Sequence, residues 1–584
     1  MDFSYLDIDF EVIDFFEREK FHSFETANAI LIDKTGIINF FEKEDDLIQL
    51  QQTLTTNKNI VAEKRIEYGD FQTNKYLSES ICNYLCTKQI NPQVLLEPTC
   101  GKGNFILSAI KSFDSLQQIF GIEIQANYVW QLKFDLLSYY LNNSKAKKPQ
   151  IYLYHSNVFN FDFQQIKKCL NGQELLIVGN PPWVTNTALS TLSSKNLPIK
   201  SNFKQTKGID AITGKGNFDI GEYISLNMLD LFADEKGYFA FLIKNSVIKN
   251  IVFEQKKNKY PISNIEKHTI NSQKEFGAAV DASLFVCKFK SIPEYTAKEY
   301  DFYTSESKVT LGWVNNKFAS DIEKYKKNQI FDGLCPFEWR QGIKHDCAKI
   351  MELERITGCF RNALGEEFDL EEDLVYGLLK SSDLKEDKIN NPRKYTIITQ
   401  KRVGQETKYI LEKLPKTKAY LHQHKDYFSS RKSSIYIGKP MFSIFGIGDY
   451  SFKPYKVAIS GLYKQTKFTL VEPNGAPIML DDTCYFIGFD TLEDALITQY
   501  LLNKTETQEF IQSFMFNDAK RVITKDLLMR IDFYSIVQHA NFAELQHLVS
   551  ETQWKKYINT IFSKRKNELN LFDFSVANQS LYPT

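Results

Sequence analysis

The sequence predicts a doubly wound α/β domain that is followed by a C-terminal α+β domain. In the N-terminal half, short apolar runs typical of buried strands alternate with helical stretches. A Gly-rich turn follows the first of these runs, and a Pro-Pro pair follows the fourth. Strands that alternate with helices indicate a parallel sheet, whose ligand site lies at the carboxyl ends of the strands.

Five apolar runs supply the strands of the predicted sheet, after a polar and helical opening segment. Glycine, proline or polar residues end these runs, which are too short to be helices. The runs are Val94–Leu96, Ile119–Ile122, Ile151–His155, Leu175–Val178 and Gly237–Ile243.

The turn after the first strand begins with an acidic residue. Glu97 opens the segment EPTCGKGNF, and a helix is predicted from about Ile106. Glycines allow the backbone to approach a ligand closely at a helix N-terminus. An NAD-binding Rossmann domain fits less well, because the turn lacks the full GxGxxG and the Glu97 carboxylate would oppose a pyrophosphate. A carboxylate suits an α-amino group, so the turn favours an adenosine-containing ammonium compound as cofactor.

A second acidic residue ends the second strand. Glu123 lies about twenty positions after the Gly-rich turn. A carboxylate at this point of a βαβ unit is placed to accept hydrogen bonds from ribose hydroxyls. The spacing therefore supports a nucleoside-containing cofactor.

The tetrapeptide Asn180-Pro181-Pro182-Trp183 follows the fourth strand and Gly179. The prolines fix φ and remove two backbone donors. Asn180 contributes a side-chain acceptor, and Trp183 contributes a broad aromatic face. Acceptors beside an aromatic plate suit a planar group that carries an NH2, such as a nucleobase amine. For the tetrapeptide alone, an ordinary Pro-Pro turn is the alternative.

The order of these motifs, from about Tyr68 to Lys290, resembles the γ-class amino-methyltransferases of DNA, which use S-adenosylmethionine and modify N6 of adenine. The resemblance implies a Rossmann-like methyltransferase domain in which Thr73 lies near the methionine carboxylate and Glu97 meets the methionine amino group. The implied cofactor-binding residues are Phe71, Thr73, Glu97, Thr99, Cys100, Gly101, Glu123, Ile124, Asn157 and Val158. Where the family commonly has Asp contacting the adenine amine, this chain has Asn157, whose side-chain carbonyl can still accept that hydrogen bond.

The same resemblance implies the catalytic residues Asn180, Pro181, Pro182 and Trp183. Adenine in duplex DNA must leave the stack to reach a buried cofactor, and Trp183 and Phe276 would then sandwich the flipped base. Asn rather than Ser before the prolines favours adenine over cytosine N4 by resemblance. A polar loop between Thr185 and Asn217 is interpreted as a flap over the target base, or alternatively as a surface insertion.

Charge is distributed unevenly, although the formal net charge of the chain is zero. Residues 391–470 hold 16 Lys and Arg against 4 Asp and Glu, a net charge of +12, whereas residues 331–390 hold 8 against 14. A local excess of this kind is typical of a surface that faces nucleic acid, so we expect double-stranded DNA as a partner.

The C-terminal half is expected to contain target recognition, because aromatic and basic residues are interleaved there. Lys and Arg suit phosphates and guanine edges, although a solvated surface is the alternative for each candidate. The candidates are Arg340, Lys344, Arg402, Arg431 and Lys432. The predicted domains are therefore a helical extension (1–67), a catalytic domain (68–318) and a target-recognition domain (319–584).

Composition narrows the remaining possibilities. The nine scattered cysteines indicate reduced thiols and a cytoplasmic location. The sequence shows no apolar stretch of membrane-spanning length, no signal-peptide pattern and no metal-ligand spacing. No nuclease pattern is recognised, so a separate modification enzyme, expected to be monomeric, is favoured; a cognate endonuclease is implied by resemblance only. An RNA or protein N-methyltransferase, or a nucleic-acid-binding protein with a vestigial cofactor pocket, stays open.

Overall fold

The computed structural model describes residues 6–19, 21, 23–55, 72–184, 219–278, 280–516 and 521–564. The chain divides into two compact units, Met1–Phe318 and Ala319–Thr584. Each unit has its own sheets and its own apolar core. Phe71 and the expected flap, residues 185–217, lie outside the described residues.

The first unit is built on one ten-stranded sheet. Its strands are β1 (Val94–Glu97), β2 (Gln118–Glu123), β3 (Gln150–His155), β4 (Leu175–Gly179), β5 (Gly237–Lys244), β6 (Ser263–Thr269), β7 (Ala282–Lys288), β8 (Thr296–Asp301), β9 (Ser307–Val314) and β10 (Lys317–Ala319). Their order is β10-β9-β8-β6-β7-β5-β4-β1-β2-β3. Strands β1 to β5 pair in parallel, whereas β7 is antiparallel to both β5 and β6.

The predicted doubly wound α/β class is confirmed for the first unit, with an antiparallel extension beyond β5. The sequence does not predict strands β6, β8 and β9, because they lack an apolar run. The sequence of β6, for example, is SNIEKHT. The strand order reverses between β1 and β4. From this pair the sheet continues through β2 and β3 on the side of β1 and through β5 on the side of β4. A reversal of this kind opens a crevice at the carboxyl ends of the strands, where open α/β sheets bind ligands.

Helices cover both faces of this sheet. They are α1 (Phe10–Arg18), α2 (Phe24–Thr35), α3 (Glu44–Thr55), α4 (Lys75–Thr87), α5 (Asn104–Ser112), α6 (Ala126–Asn142), α7 (Gln164–Cys169), α8 (Ile220–Phe232), α9 (Asn245–Asn258) and α10 (Ser272–Phe276). Successive side chains of a strand point to opposite faces. Accordingly, Leu95 packs in the core formed with α1 to α6, whereas Val94 and Leu96 pack in the core formed with α7 to α9.

The helical opening segment packs on the first of these cores rather than standing apart from it. The ring of Phe16 in α1 lies edge-on to that of Phe134 in α6, with centroids 6.4 Å apart. Lys133 of α6 is buried, and its Nζ donates to Phe40 O at 2.7 Å and lies over the Trp130 ring. Burial lowers the pKa of Lys133 to about 8. The first three helices therefore complete the apolar cover of this sheet face.

The second unit is α+β, as predicted. One sheet has the order β11-β21-β18-β19-β16 and the other β14-β13-β12-β17-β15-β20. Its strands are β11 (Arg340–Gln341), β12 (Glu352–Ile356), β13 (Cys359–Arg361), β14 (Glu367–Phe368), β15 (Val375–Leu379), β16 (Lys388–Ile389), β17 (Lys394–Ile397), β18 (Tyr455–Ser460), β19 (Thr469–Val471), β20 (Met479–Leu480) and β21 (Cys484–Phe489).

Short helices connect and flank these two sheets. They are α11 (Ile322–Asn328), α12 (Ala348–Met351), α13 (Thr407–Glu412), α14 (Pro415–Gln423), α15 (Lys425–Ser429), α16 (Leu492–Asn503), α17 (Thr505–Gln512), α18 (Lys525–Leu528), α19 (Phe533–His539), α20 (Phe542–Leu545) and a helix over residues 551–564. Within the described ranges, no helix is both long and apolar enough to cross a membrane.

Candidate active site

A cavity that is partly open to solvent lies at the carboxyl ends of β1, β2, β3 and β4, where the strand order reverses. Most of the residues predicted for the site line it, although they come from segments more than a hundred residues apart in the sequence. These lining residues are Thr73, Glu97, Thr99, Cys100, Gly101, Glu123, Ile124, Asn157, Val158, Asn180, Pro181 and Pro182. Trp183 and Phe276 are not among its lining residues.

Glu97, the last residue of β1, is a buried carboxylate that is only partly satisfied. Its side chain lines the cavity and the residue is 2% exposed. Its Oε2 has no hydrogen-bond partner among the described residues. Burial, together with the nearby charge of Glu123, raises the pKa of Glu97 well above its ordinary value. A cation placed against Oε2 would reverse that shift, because an opposite charge favours the ionised form.

Glu123 ends β2 and holds the Gly-rich turn in place. Its Oε2 accepts from the Gly101 N–H and its Oε1 accepts from the Gln125 N–H, both at 2.8 Å. Gly101 has a φ of +53°, and a Cβ there would lie 2.5 Å from Gln72 Oε1. The turn therefore requires glycine at this position. The two backbone N–H groups that donate to Glu123 also fix the orientation of its carboxylate.

Cys100 lies inside the same turn as a buried thiol. Its N–H donates to Ile122 O at 2.9 Å. Burial, aided by the charges of Glu97 and Glu123, raises the pKa of the Cys100 thiol well above its ordinary value. Since the thiolate is the reactive form, this cysteine shapes the turn rather than acting as a nucleophile.

The far end of the cavity is formed by the ends of β2 and β3. Asn157 Oδ1 accepts from the Phe159 N–H at 2.9 Å, so one lone pair of this carbonyl supports its own turn. Ile124 is partly exposed, and its carbonyl contacts His155 Nε2 at 3.0 Å. Ile124 and Val158 give this end of the cavity an apolar character, which suits the face of an aromatic heterocycle.

Asn180 is oriented by a residue 107 positions earlier in the chain. Its Nδ2 donates to Thr73 Oγ1 at 3.2 Å. The amide nitrogen therefore points at Thr73, and the side-chain oxygen is the atom of this amide that can accept a hydrogen bond. Thr73 O in turn accepts from Asn104 Nδ2 at 2.8 Å. The tetrapeptide and the segment before α4 are therefore positioned together.

Trp183 and Phe276 contact each other directly. Their rings meet edge to face, with centroids 4.9 Å apart and planes at 69°. Trp183 is buried, and its Nε1 donates to Leu242 O at 3.2 Å. In this arrangement no aromatic base fits between the two rings, so the sandwich expected from the sequence requires them to separate.

A set of contacts that the sequence did not reveal links Phe276 to the cofactor side of the site. Asn74 Nδ2 donates to Glu275 Oε2 at 3.0 Å, and Tyr303 OH donates to Glu275 Oε1 at 2.9 Å. Asn74 also caps α4, because its Oδ1 accepts from the Leu77 N–H at 2.9 Å. Thr73 and Asn74 thus contact Asn180 and the helix that bears Phe276, respectively.

Other lining residues were also missed, because no local motif marks them. Tyr128, Ser156, Ile220 and Ile224 line the cavity. Ile220 and Ile224 stand on the first turn of α8, and their i, i+4 spacing places both on one face. This spacing was the available signal, but it is equally typical of a buried core helix.

All five basic candidates in the second unit are exposed or partly exposed. Arg340 is paired with Glu338 and lies 4.6 Å from the Tyr450 ring centroid. Lys344 is paired with Asp346 at 3.7 Å, and Arg402 with Asp449 at 3.1 Å. Exposed ion pairs of this kind are weak, so these cations can exchange their carboxylate partners for phosphates.

Lys432 is exposed, but its neighbour Arg431 is committed to contacts within the unit. The Arg431 guanidinium donates to Ser443 O and Met441 O at 2.7 Å each and to Phe428 O at 3.1 Å. It also lies 3.6 Å from the Tyr436 ring centroid. Arg431 is therefore an internal brace in this structure.

Comparison with known proteins gives a strong sequence relationship. The chain is 40% identical to the type II methyltransferase M.NspV of Nostoc sp. over 475 residues, which are 81% of this chain and 97% of that protein. No protein-family model matches.

Solved structures show similarities at low sequence identity. One is the type IIL restriction-modification enzyme MmeI in complex with DNA, with a TM-score of 0.49 and 12% identity over 96% of this chain and 90% of that one. Another is the type IIG restriction endonuclease BpuSI, with a TM-score of 0.35 and 12% identity over 94% and 74% of the two chains. A third is a putative class I S-adenosylmethionine-dependent methyltransferase from Listeria monocytogenes, with a TM-score of 0.29 and 14% identity over 50% and 91%.

Proposed function

Because this chain belongs to the type II methyltransferase family, we propose that it transfers the methyl group of S-adenosylmethionine to N6 of a flipped-out adenine in a short duplex DNA motif. The observation that carries the proposal is the position of Asn180. Its amide is held by Thr73 at the edge of a cavity that also contains the Glu97 and Glu123 carboxylates. An amine acceptor and a site for an adenosine-containing cation thus adjoin each other.

The residues that line the cavity fit S-adenosylmethionine. Glu97 Oε2, which has no hydrogen-bond partner within the described part of the chain, would accept from the methionine ammonium. Glu123 would receive the ribose hydroxyls, and Ile124 and Val158 would contact the adenine ring. Thr73 would lie near the methionine carboxylate. When bound, the cofactor supplies an electrophilic methyl group on a sulfonium sulfur.

The side-chain oxygen of Asn180 and the carbonyl of Pro181 would accept hydrogen bonds from the target amine. Two acceptors on one NH2 group draw the nitrogen away from planarity and make its lone pair available for attack. Thr73 contributes by fixing the Asn180 amide before the base arrives, and preorganised polar groups of this kind reduce the barrier. No general base is required before transfer, because N6 becomes acidic once it is methylated.

Trp183 and Phe276 would form the aromatic walls of the target-base site. Their edge-to-face contact would open to admit the base, after which both rings would be available for stacking. Glu275 would hold the helix that carries Phe276 through its contacts with Asn74 and Tyr303.

The second unit, Ala319–Thr584, would supply target recognition, with Arg340, Lys344, Arg402 and Lys432 as candidate contacts to DNA and Arg431 as a brace. We further propose a monomeric enzyme of the cytoplasm, the modification component of a restriction-modification system with a cognate endonuclease. The nine cysteines, all of them free thiols, agree with a reducing compartment.

Methylation of plasmid DNA tests this function. Incubation with labelled S-adenosylmethionine, followed by nucleoside analysis and methylation-aware sequencing, should give N6-methyladenine in one short motif. Asn180→Ala should lower kcat at least about 100-fold while the Kd for S-adenosylmethionine stays within a few-fold of wild type. Asn142→Ala, an exposed amide on α6, is the matched control. Label in N4-methylcytosine, or transfer to RNA but not to DNA, would overturn the proposed substrate.

A further inference from the structure

The segment 430–441 of the second unit, called here the Arg431 loop, is held at both ends by a single side chain. The Arg431 guanidinium donates to Phe428 O before the loop and to Met441 O and Ser443 O at its end. Four contacts to backbone carbonyls are made in all, since Nη1 also donates to His345 O at 3.4 Å. Hydrogen bonds from a charged donor are stronger than neutral ones, so this brace fixes the base of the loop.

Tyr436 anchors the middle of the loop. Its ring is buried beneath the Arg431 guanidinium, and its hydroxyl donates to Lys344 O at 3.2 Å. It also meets the Phe445 ring edge-on, with centroids 5.3 Å apart. The loop is therefore pinned at its base and at its centre, which leaves its conformation little freedom on contact with a partner.

The residues on either side of Tyr436 are apolar and exposed. Ile437 is 78% exposed, Ile435 is 36% exposed and Met441 is 47% exposed. Gly438 follows Ile437 with a φ of +69° and has open space around its Cβ position. Three exposed aliphatic side chains fall within seven residues of one braced loop, and apolar groups gathered on a surface in this way are typical of a contact with a partner.

Positive charge surrounds these aliphatic side chains. Lys432 and Lys439 are exposed on the two sides of Ile435 and Ile437 in the sequence. The sequence contains no acidic residue between Asp426 and Asp449. Asp346, whose charge acts on Arg431 and Tyr436 from a neighbouring segment, is paired with Lys344 at 3.7 Å. The partner that fits is anionic on its rims and apolar between them, as is a groove of duplex DNA.

We propose that the Arg431 loop docks in a groove of duplex DNA, with Ile437 inserted as an apolar wedge and with Lys432 and Lys439 on the flanking phosphates. Aliphatic side chains that enter the minor groove unstack base steps, and nearby cations neutralise phosphates. This inference rests on the proposed function. It also gives Arg431 a positioning role, since its guanidinium holds the loop and is not available to a base.

Binding to a fluorescent duplex tests the loop separately from methyl transfer. The probe is a 30-base-pair duplex taken from the plasmid and measured by anisotropy; it carries the methylated motif where plasmid methylation identifies one, and is otherwise an arbitrary plasmid segment. Ile437→Asp should weaken binding at least tenfold and Ile437→Ala about fivefold, without change in the Kd for S-adenosylmethionine. Ile292→Asp is the matched control, because Ile292 is 86% exposed in the first unit; it should bind DNA like wild type.

The cationic part of the proposal has its own measurement. The double variant Lys432→Gln, Lys439→Gln should reduce the slope of log Kd against log salt concentration by about 1.8, at ~0.9 per phosphate contact. If Ile437→Asp binds and methylates DNA as wild type does, the proposal that Ile437 is a wedge is refuted. It is also refuted if this variant loses only its binding to a protein partner such as an endonuclease. If the wild type binds the duplex but transfers no methyl group, the proposed function fails, whereas the loop is still judged from the binding data.

Discussion

The substitution Glu97→Gln should have opposite effects on the empty protein and on its complex with S-adenosylmethionine. Glu97 is buried, and its Oε2 has no partner among the described residues, while Glu123 adds a like charge nearby. A buried polar group without a partner costs about 1–3 kcal/mol, and a neutral amide is cheaper to bury than a carboxylate. Because the amide lacks a partner in its turn but carries no charge, the free energy of unfolding of the empty variant should rise above that of wild type at pH 8.

The complex should be weakened by the same change. A hydrogen bond between an ammonium and a carboxylate contributes roughly 1.5–3 kcal/mol. At about 1.36 kcal/mol per factor of ten, Glu97→Gln should raise the Kd for S-adenosylmethionine roughly 10- to 100-fold. Thermal unfolding with and without cofactor, together with calorimetry, measures both effects on one sample.

The direction of the Glu97 pKa shift determines how stability and cofactor binding change with pH. The folded-state pKa of Glu97 is raised, so its stabilising contribution is present below the unfolded-state pKa and is lost as pH rises through the folded-state value. A bound ammonium favours the ionised carboxylate, so cofactor binding should release protons and strengthen as pH rises through the pKa of the empty protein. In Glu97→Gln this proton release should disappear, which calorimetry in buffers of different ionisation enthalpy detects.

The matched control is Glu222→Gln. Glu222 is also a buried carboxylate of the first unit, but it does not line the cavity and it accepts from Asn250 Nδ2 at 3.2 Å. This variant should leave the Kd for S-adenosylmethionine unchanged. If Glu97→Gln binds the cofactor as tightly as wild type, or releases the same number of protons, the assignment of Glu97 to the ammonium is refuted.

Three further predictions follow from contacts outside the cofactor cavity. Asn74→Ala and Glu275→Gln should each lower kcat more than they raise the Kd for cofactor, and a double-mutant cycle should show about 0.5–3 kcal/mol of coupling between them; additive effects would separate the two residues. Arg431→Ala should destabilise the second unit by about 3 kcal/mol in urea titrations, because several carbonyls lose a charged donor, and Arg431→Lys should restore little of that loss. Lys456 is buried with its pKa lowered to about 7, so wild-type stability should rise with pH between about 7 and 10.4, and Lys456→Met should flatten that rise.

The parts of the first unit that the sequence predicts are those encoded by neighbouring residues. Strand β1, the turn that begins at Glu97 and the Asn180 tetrapeptide each depend on a run of fewer than ten residues. The turn also has a local conformational requirement, since Gly101 adopts a positive φ. Because parallel strands have their carboxyl ends at the same edge of the sheet, the predicted sheet already places both motifs at that edge; that β1 and β4 are neighbours is seen only in the structure.

What could not be predicted depends on residues far apart in the sequence. The Asn74–Glu275 contact spans 201 positions, and Thr73–Asn180 spans 107. Neither pair has a sequence pattern that identifies its partner. Arg431 illustrates the same problem in the second unit: an arginine in a basic stretch is typical of a DNA contact, and only the folded backbone shows that carbonyls surround it.

The closed aromatic pair bears on how the enzyme would choose its base. Separating Trp183 from Phe276 costs about 0.5–1.5 kcal/mol, whereas stacking a base contributes about 1–3 kcal/mol. The difference is small and nearly the same for every base, since each has an aromatic face. In the proposed site, discrimination would therefore come from the acceptors at Asn180 and Pro181, which a base without an exocyclic amine would leave unpaired. Thymine at the target position should accordingly bind no better than an abasic site, and tight binding of thymine would shift the basis of selection from hydrogen bonding to stacking.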